Sequence, residues 1–229
     1  MNYRAISCIR LMATALLSLT VVFSSAVWAK ARVAELADGG MVATRSSWAS
    51  QIGADILSQG GNAVDAAVAV GFGLAVSYPS AGNLGGGGFM VIRLADGTVI
   101  TNDHREKAPG SASKDMFLDE NGDVVKGLST RSHLAAGVPG SVAGLLDVLE
   151  KYGTMKRAQV MQPAIELAAK GIVLDRDLAE SFARRGQAFA MYPASAAVFS
   201  KETGPYQVGD LWQQPDLAAS LERIKKQGK

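Results

Sequence analysis

The sequence predicts an α+β fold in which helices layer against an antiparallel sheet. Three observations carry this reading. The stretch Ala66–Val76 is apolar on every side, as for a helix packed on both faces inside a layered protein. Two alternating segments, 89–94 and 98–102, flank Ala95-Asp96-Gly97, and Asp-Gly between strands marks a tight hairpin. The order of elements is a strand, two helices, a hairpin and then helices, with no regular strand–helix alternation of the kind that builds a parallel sheet.

At the N-terminus, Arg4 and Arg10 precede an apolar run from Leu11 to Phe23, and Val27-Trp28-Ala29 follows. This is the pattern of a secretory signal cleaved after Ala29. The apolar core is shorter than the roughly 20 residues a membrane helix needs, although an uncleaved anchor is the alternative. Cys8 precedes the apolar run, which excludes a lipoprotein. Residues 1–29 are thus predicted to be a signal peptide and 30–229 the mature chain, exported to a bacterial periplasm or beyond. Cys8 is the only cysteine, so the mature chain carries no disulfide.

Met41–Thr44 reads as a short strand after Gly39-Gly40. Ser46 or Ser47 then caps a helix that buries Ala49, Ile52, Ile56 and Leu57, and Gly60-Gly61 ends it. Asn62 caps the next helix, with Asp65 in the third position of a capping box. Gly71 and Gly73 thin that helix, an arrangement expected to seat it closely on a sheet, and Pro79 stops it. Beyond the hairpin, Pro139 is expected to open a helix carrying Val142, Leu145, Leu146 and Leu149, closed by Gly153. Pro163 is expected to open another, with Ile165, Leu167 and Ala168, closed by Gly171. Pro215–Gln227 reads as an amphipathic helix with Leu217, Leu221 and Ile224 on one stripe.

Arg4 and Arg10 account for the formal charge of +2, since the chain holds 23 basic and 21 acidic residues. The mature protein is neutral, which argues against a nucleic-acid or membrane-surface partner. His104 and His133 are the only histidines, and with no mature cysteine and no carboxylate at ligand spacing they suggest no metal site. The sequence suggests no cofactor. Ser141 is not the central serine of a hydrolase elbow and is expected to be structural. Asp119–Asp123 fails the spacing of a calcium loop and reads as a surface turn.

The run Gly82-Asn83-Leu84-Gly85-Gly86-Gly87-Gly88 fits neither a Walker loop nor a dinucleotide fingerprint. It is either a platform for a ligand or a loop packed tightly under another element. Arg105, just past the hairpin, is either a guanidinium fork for a carboxylate or a surface ion pair with Asp103 or Glu106.

Gly60-Gly61-Asn62-Ala63-Val64-Asp65-Ala66-Ala67, then Ala81-Gly82-Asn83-Leu84-Gly85-Gly86-Gly87-Gly88-Phe89-Met90, then Arg105-Glu106 before Ala108-Pro109 resemble the gamma-glutamyltranspeptidases. Leu134-Ala135, Gly137-Val138-Pro139-Gly140-Ser141-Val142-Ala143-Gly144 and Lys151-Tyr152-Gly153 extend the resemblance in the same order. It runs from about Gly40 to the last residue.

The resemblance implies part of an N-terminal nucleophile hydrolase αββα sandwich, incomplete in this chain. It implies a precursor that cuts itself into a large and a small subunit, this chain matching the N-terminal part of the large one. It also implies gamma-glutamyl transfer from, and hydrolysis of, glutathione and related gamma-glutamyl amides. The nucleophile would be the freed N-terminal threonine of the small subunit, its own α-amino group serving as base. Arg105 matches the family's arginine for the α-carboxylate of the glutamyl group and becomes the expected substrate-binding residue. The glycine run becomes packing of the large subunit. Thr101, Thr130, Thr154 and Thr203 do not match the processing threonine, so no catalytic residue is expected within these residues. The chain alone is expected to be inactive, as a fragment that needs the small subunit. A non-catalytic exported glutamyl-binding fragment and a cephalosporin-acylase-like relative are the alternatives.

Overall fold

The computed structural model of the protein describes residues 34 and 36–228. The expected signal segment, 1–29, lies outside them. The chain divides into two compact units, 1–38 and 39–229, and every described helix and strand lies in the second.

Among the described residues Met41–Thr44 pairs with no strand, contrary to the expectation. A short apolar run becomes a strand only where another edge satisfies its backbone. Here Thr44 instead turns its hydroxyl onto the Ser46 carbonyl at 2.6 Å. Helix α1 (Ser47–Ser58) starts at its expected cap, Ser46, whose Oγ accepts the Ala49 N–H. Helix α2 (Ala63–Ser77) carries the expected capping box. Asn62 Oδ1 accepts from Val64 N at 2.8 Å and Asp65 N at 3.0 Å, and Asp65 Oδ2 accepts the Asn62 N–H at 2.8 Å.

Strands β1 (Phe89–Arg93) and β2 (Val99–Asp103) pair antiparallel, with Val91 opposite Thr101. Gly97, at φ +90°, makes the turn. Ile92 and, in part, Met90 and Ile100 face the core, while Phe89, Val91 and Val99 face outward. A short helix α3 (Leu128–Arg131) and a 3-10 turn at His133–Ala135 follow the Asp119 turn, in which one carboxylate oxygen accepts the N–H of both Asn121 and Asp123.

Helix α4 (Ser141–Tyr152) begins two residues after Pro139, with Gly140 at its cap and Gly153 closing it. Helix α5 (Arg157–Lys170) contains Pro163 in its interior instead of starting there. The missing N–H at Pro163 removes one helical bond without ending the helix, because Val160, Met161, Ala164 and Ile165 on its inner stripe are all buried. Gly171, at φ +88°, closes it as expected.

The region 172–212 carries elements that the sequence does not announce. Strand β3 (Ile172–Val173), helix α6 (Arg176–Ala190), helix α7 (Pro193–Phe199), strands β4 (Ser200–Lys201) and β5 (Gly204–Pro205), and strand β6 (Leu211–Trp212) surround their own small apolar cluster. Phe182 packs edge-on to Trp212 with centroids 4.8 Å apart, and Trp212 Nε1 donates to the Val198 carbonyl at 2.8 Å. Helix α8 (Pro215–Gln227) buries Leu221, with Leu217 and Ile224 partly covered, as its stripe predicts.

The architecture is α+β, and its three two-stranded pairs among the described residues are all antiparallel. Helix α2 is the axis of the main core, against α1, α4 and α5, with α8 packed on α5. Its two glycines face helices and not a sheet, which corrects the expectation. A Cβ at Gly71 would meet the Leu145 side chain of α4 at 3.0 Å, and one at Gly73 would meet Ile52 of α1 at 3.0 Å. Omitting both side chains lets three helix axes crowd together, because helices approach most closely where one contributes no side chain.

Candidate substrate-binding site

The site forms where the chain leaves β2 and changes partner. Past Asp103 the hairpin gains one more rung, with His104 N donating to Gly88 O at 3.1 Å and Gly88 N to His104 O at 3.3 Å. Three residues later the chain pairs with the segment before α4. Lys107 N donates to Val138 O at 3.2 Å, and Val138 N to Lys107 O at 2.8 Å. Arg105 and Glu106 are the short span between these two clamps. A span fixed at both ends by reciprocal hydrogen bonds presents its side chains in a defined direction.

Arg105 is exposed, and its guanidinium makes no ion pair among the described residues. The alternative, an ion pair with Asp103 or Glu106, is not formed among the described residues, and the Asp103 carboxylate accepts the backbone N–H of Arg105 at 3.0 Å. Arg105 instead lines a shallow groove with His104, Lys107, Val138, Gly140 and Asp147. Asp147, on α4, bonds Lys151 at 2.9 Å, one turn along the helix. An exposed, unpaired guanidinium on a clamped backbone can take a carboxylate in bidentate fashion.

Gly87 and Gly88, at the end of the glycine run, make the room for this span. None of Gly82, Gly85, Gly86, Gly87 or Gly88 has a positive φ, so it is space and not backbone conformation that excludes side chains at Gly82, Gly86, Gly87 and Gly88, whereas a Cβ at Gly85 would meet nothing within 4 Å. A Cβ at Gly87 would lie 2.5 Å from Glu106 N and 2.6 Å from His104 O. The same pressure comes from the α4 side, where a Cβ at Gly140 would lie 1.9 Å from His104 O and one at Gly144 2.1 Å from His104 Cβ. Asn83 ties the two glycine segments together, its Oδ1 accepting from Gly86 N at 2.8 Å and from Ser141 Oγ at 2.6 Å. Ser141 is therefore a structural donor. Gly140 N and Ser141 N both donate to the Gly86 carbonyl, at 2.7 and 3.0 Å.

Gly140→Ala is expected to cost about 2–3 kcal/mol of stability, because its Cβ would overlap a backbone carbonyl that cannot swing aside. Gly85→Ala, which meets nothing within 4 Å, should change stability by less than about 0.5 kcal/mol. Urea unfolding of the two variants checks this, and equal losses would remove the steric explanation for the glycines.

The structure brings together Arg105, the glycine run and the 137–144 motif. Sequence reasoning considers His104 only as a metal ligand and misses its place in this cluster. Glycines at 140 and 144, one helical turn apart at a helix start, are the available signal that something packs there. His133 lies in a separate, exposed 3-10 turn. Thr154 donates to Asp65, and Thr101 lies on the outward face of the hairpin. Among the described residues no group of three or more His, Cys, Asp or Glu could hold a metal ion, and no helix is long and apolar enough to cross a membrane.

Residues 49–229 match the family described as Gamma-glutamyltranspeptidase. The chain is 50% identical over 190 residues to a glutathione hydrolase proenzyme of Escherichia coli (strain K12), covering 82% of this chain and 33% of that protein. It is 49% identical over 193 residues to a glutathione hydrolase proenzyme of Pseudomonas sp. (strain A14), covering 84% of this chain and 34% of that protein. Among solved structures it is similar to the gamma-glutamyltranspeptidase of Helicobacter pylori, with a TM-score of 0.83 and 48% identity over 86% of this chain and 56% of the other. The chain thus spans about a third of the length of the curated relatives it matches.

Proposed function

The chain belongs to the gamma-glutamyltranspeptidase family, with the α+β fold of part of an N-terminal nucleophile hydrolase sandwich, and from that premise we propose that it supplies the glutamyl-binding wall of a gamma-glutamyl transferase and glutathione hydrolase. Arg105 is the residue that receives the α-carboxylate of the donor. The observation that carries this reading is the unpaired Arg105 guanidinium on a backbone span clamped at His104 and Lys107.

The reaction assigned to the whole enzyme has two halves. The hydroxyl of an N-terminal threonine, supplied by the small subunit of the same self-cut precursor, attacks the gamma-glutamyl carbonyl. The Oγ–C bond forms, the C–N bond breaks, and the leaving amine takes the proton through the threonine's own amino group. Water then releases glutamate, or an amino acid or peptide amine takes the glutamyl group. Throughout, Arg105 holds the donor by a group that does not react, which fixes where the carbonyl meets the nucleophile. Residues 1–29 are assigned as the export signal, which directs the enzyme to the periplasm or the medium.

The test uses a donor pair and two protein forms. The 229-residue chain alone is expected to release no amine from a gamma-glutamyl anilide. The complete self-cut enzyme carrying it is expected to do so. A complete enzyme that prefers amides lacking an α-carboxylate would favour the acylase-like alternative. Calorimetric binding of glutathione by the chain, with no turnover by any longer form, would favour the glutamyl-binding fragment.

A further inference from the structure

We infer that His104 is the positioning residue that aims Arg105, an inference that rests on Arg105 being the carboxylate site proposed above. Arg105 is exposed and has no side-chain partner among the described residues, so its direction comes from the backbone on either side. The downstream clamp, Lys107 with Val138, is a backbone pair alone. The upstream clamp has a backbone pair of 3.1 and 3.3 Å with Gly88, and in addition a side chain built into three elements.

The stem of His104 rests on α4 at Gly144, where a Cβ would come within 2.1 Å of its Cβ and 2.2 Å of its Cγ. The tip of the ring reaches the approach to β1, where a Cβ at Gly88 would lie 2.9 Å from Nε2. The ring is turned by Asn102, whose Oδ1 stands 2.7 Å from Nδ1. Asn102 itself lies opposite Met90 in the hairpin register, and Met90 packs against the main core. The imidazole therefore links the carboxylate-binding span to α4, to β1 and, through Asn102, to the core. Remove it, and two bare glycines face an empty slot beside the residue that precedes Arg105. A guanidinium fork tolerates little displacement, since a misplacement of about 1 Å can cost on the order of a hundredfold.

The experiment uses the complete self-cut enzyme with a gamma-glutamyl anilide donor, and follows KM, kcat and the rate of self-cleavage. His104→Ala is expected to raise KM about tenfold while kcat and the self-cleavage rate stay within about twofold. His104→Phe, which keeps a ring between Gly88 and Gly144, is expected to return most of the lost KM. If His104→Ala fails to self-cleave, His104→Leu keeps the volume without the flat ring and is read in the same way. An unchanged KM in these variants overturns the inference. So does a loss of kcat and self-cleavage alongside the rise in KM in His104→Leu as well as His104→Ala, which would mean a general role in folding. Arg105→Ala is the control. If it raises KM and His104→Ala does not, only the positioning role fails; if it does not raise KM either, the carboxylate-site reading fails with it.

Discussion

Arg105→Ala is expected to lower kcat/KM for gamma-glutamyl donors by about 30- to 700-fold, the equivalent of about 2–4 kcal/mol for removing one partner of a hydrogen-bonded charge pair. Among the described residues no carboxylate pairs with the Arg105 guanidinium, and Asp103 accepts the Arg105 backbone N–H instead. Arg105→Lys keeps the charge and loses the planar fork, so it should recover only part of the deficit. The stability of the folded chain should move by no more than about 0.5 kcal/mol in either variant, as for an exposed side chain outside any packed contact. Steady-state kinetics with a gamma-glutamyl anilide decide the matter. An unchanged kcat/KM would leave Arg105 a surface residue with no part in binding.

The second large effect concerns stability. Asp65 is fully buried at the start of α2. Its two oxygens accept from Asn62 N, Thr154 N, Thr154 Oγ1 and Met155 N, at distances from 2.7 to 3.2 Å. One carboxylate thus caps α2 and holds the loop between α4 and α5, with the backbone of Gly153 fitted against it. Asp65→Ala strands these donors and is expected to cost about 3 kcal/mol. Asp65→Asn should cost nearly as much, because its NH2 group would face N–H donors. Urea unfolding of the chain measures both, and a loss below about 1 kcal/mol for Asp65→Ala would mean that water replaces the carboxylate.

The same group sets an acid limit. Burial works against ionisation of Asp65, but the hydrogen bonds from Thr154, Asn62 and Met155 outweigh it, and its pKa falls below the ordinary 3.8. A carboxylate with a depressed folded-state pKa stabilises the fold at pH values above the unfolded value. That contribution is intact at neutral pH and disappears as pH drops from about 3.8 through the folded pKa. Asp65→Ala should therefore flatten the acid limb of stability against pH, and an unchanged limb would assign the acid sensitivity elsewhere.

Much of the fold is legible because its signals are local. Ser46 and the Asn62–Asp65 capping box start α1 and α2 with partners three residues away. Asp96-Gly97 sets the hairpin, and the Leu217–Leu221–Ile224 stripe sets α8. The features that escape a reading of the chain are those that depend on distant partners. Met41–Thr44 has strand character and, among the described residues, no edge to join. Pro163 signals a helix start, but the burial of Val160, Met161 and Ala164 carries α5 straight through it. The two-residue strands of region 172–212 exist only because Ile172 meets Trp212 and Ser200 meets Pro205, pairings too short to leave a period in the sequence.

The candidate site divides in the same way. The order of motifs along the chain suffices for the family, the glycine run and Arg105 as the residue to watch. It does not say what the glycines make room for, because steric room belongs to two segments at once. The convergence of Gly87, Gly140 and Gly144, from two separate segments, on the stretch from His104 to Glu106 is a property of the folded chain alone. There His104 changes from an unpromising metal ligand to the wedge beside Arg105. A side chain's neighbours through space are set by the packing of α4 against the hairpin, and no spacing along the chain records them.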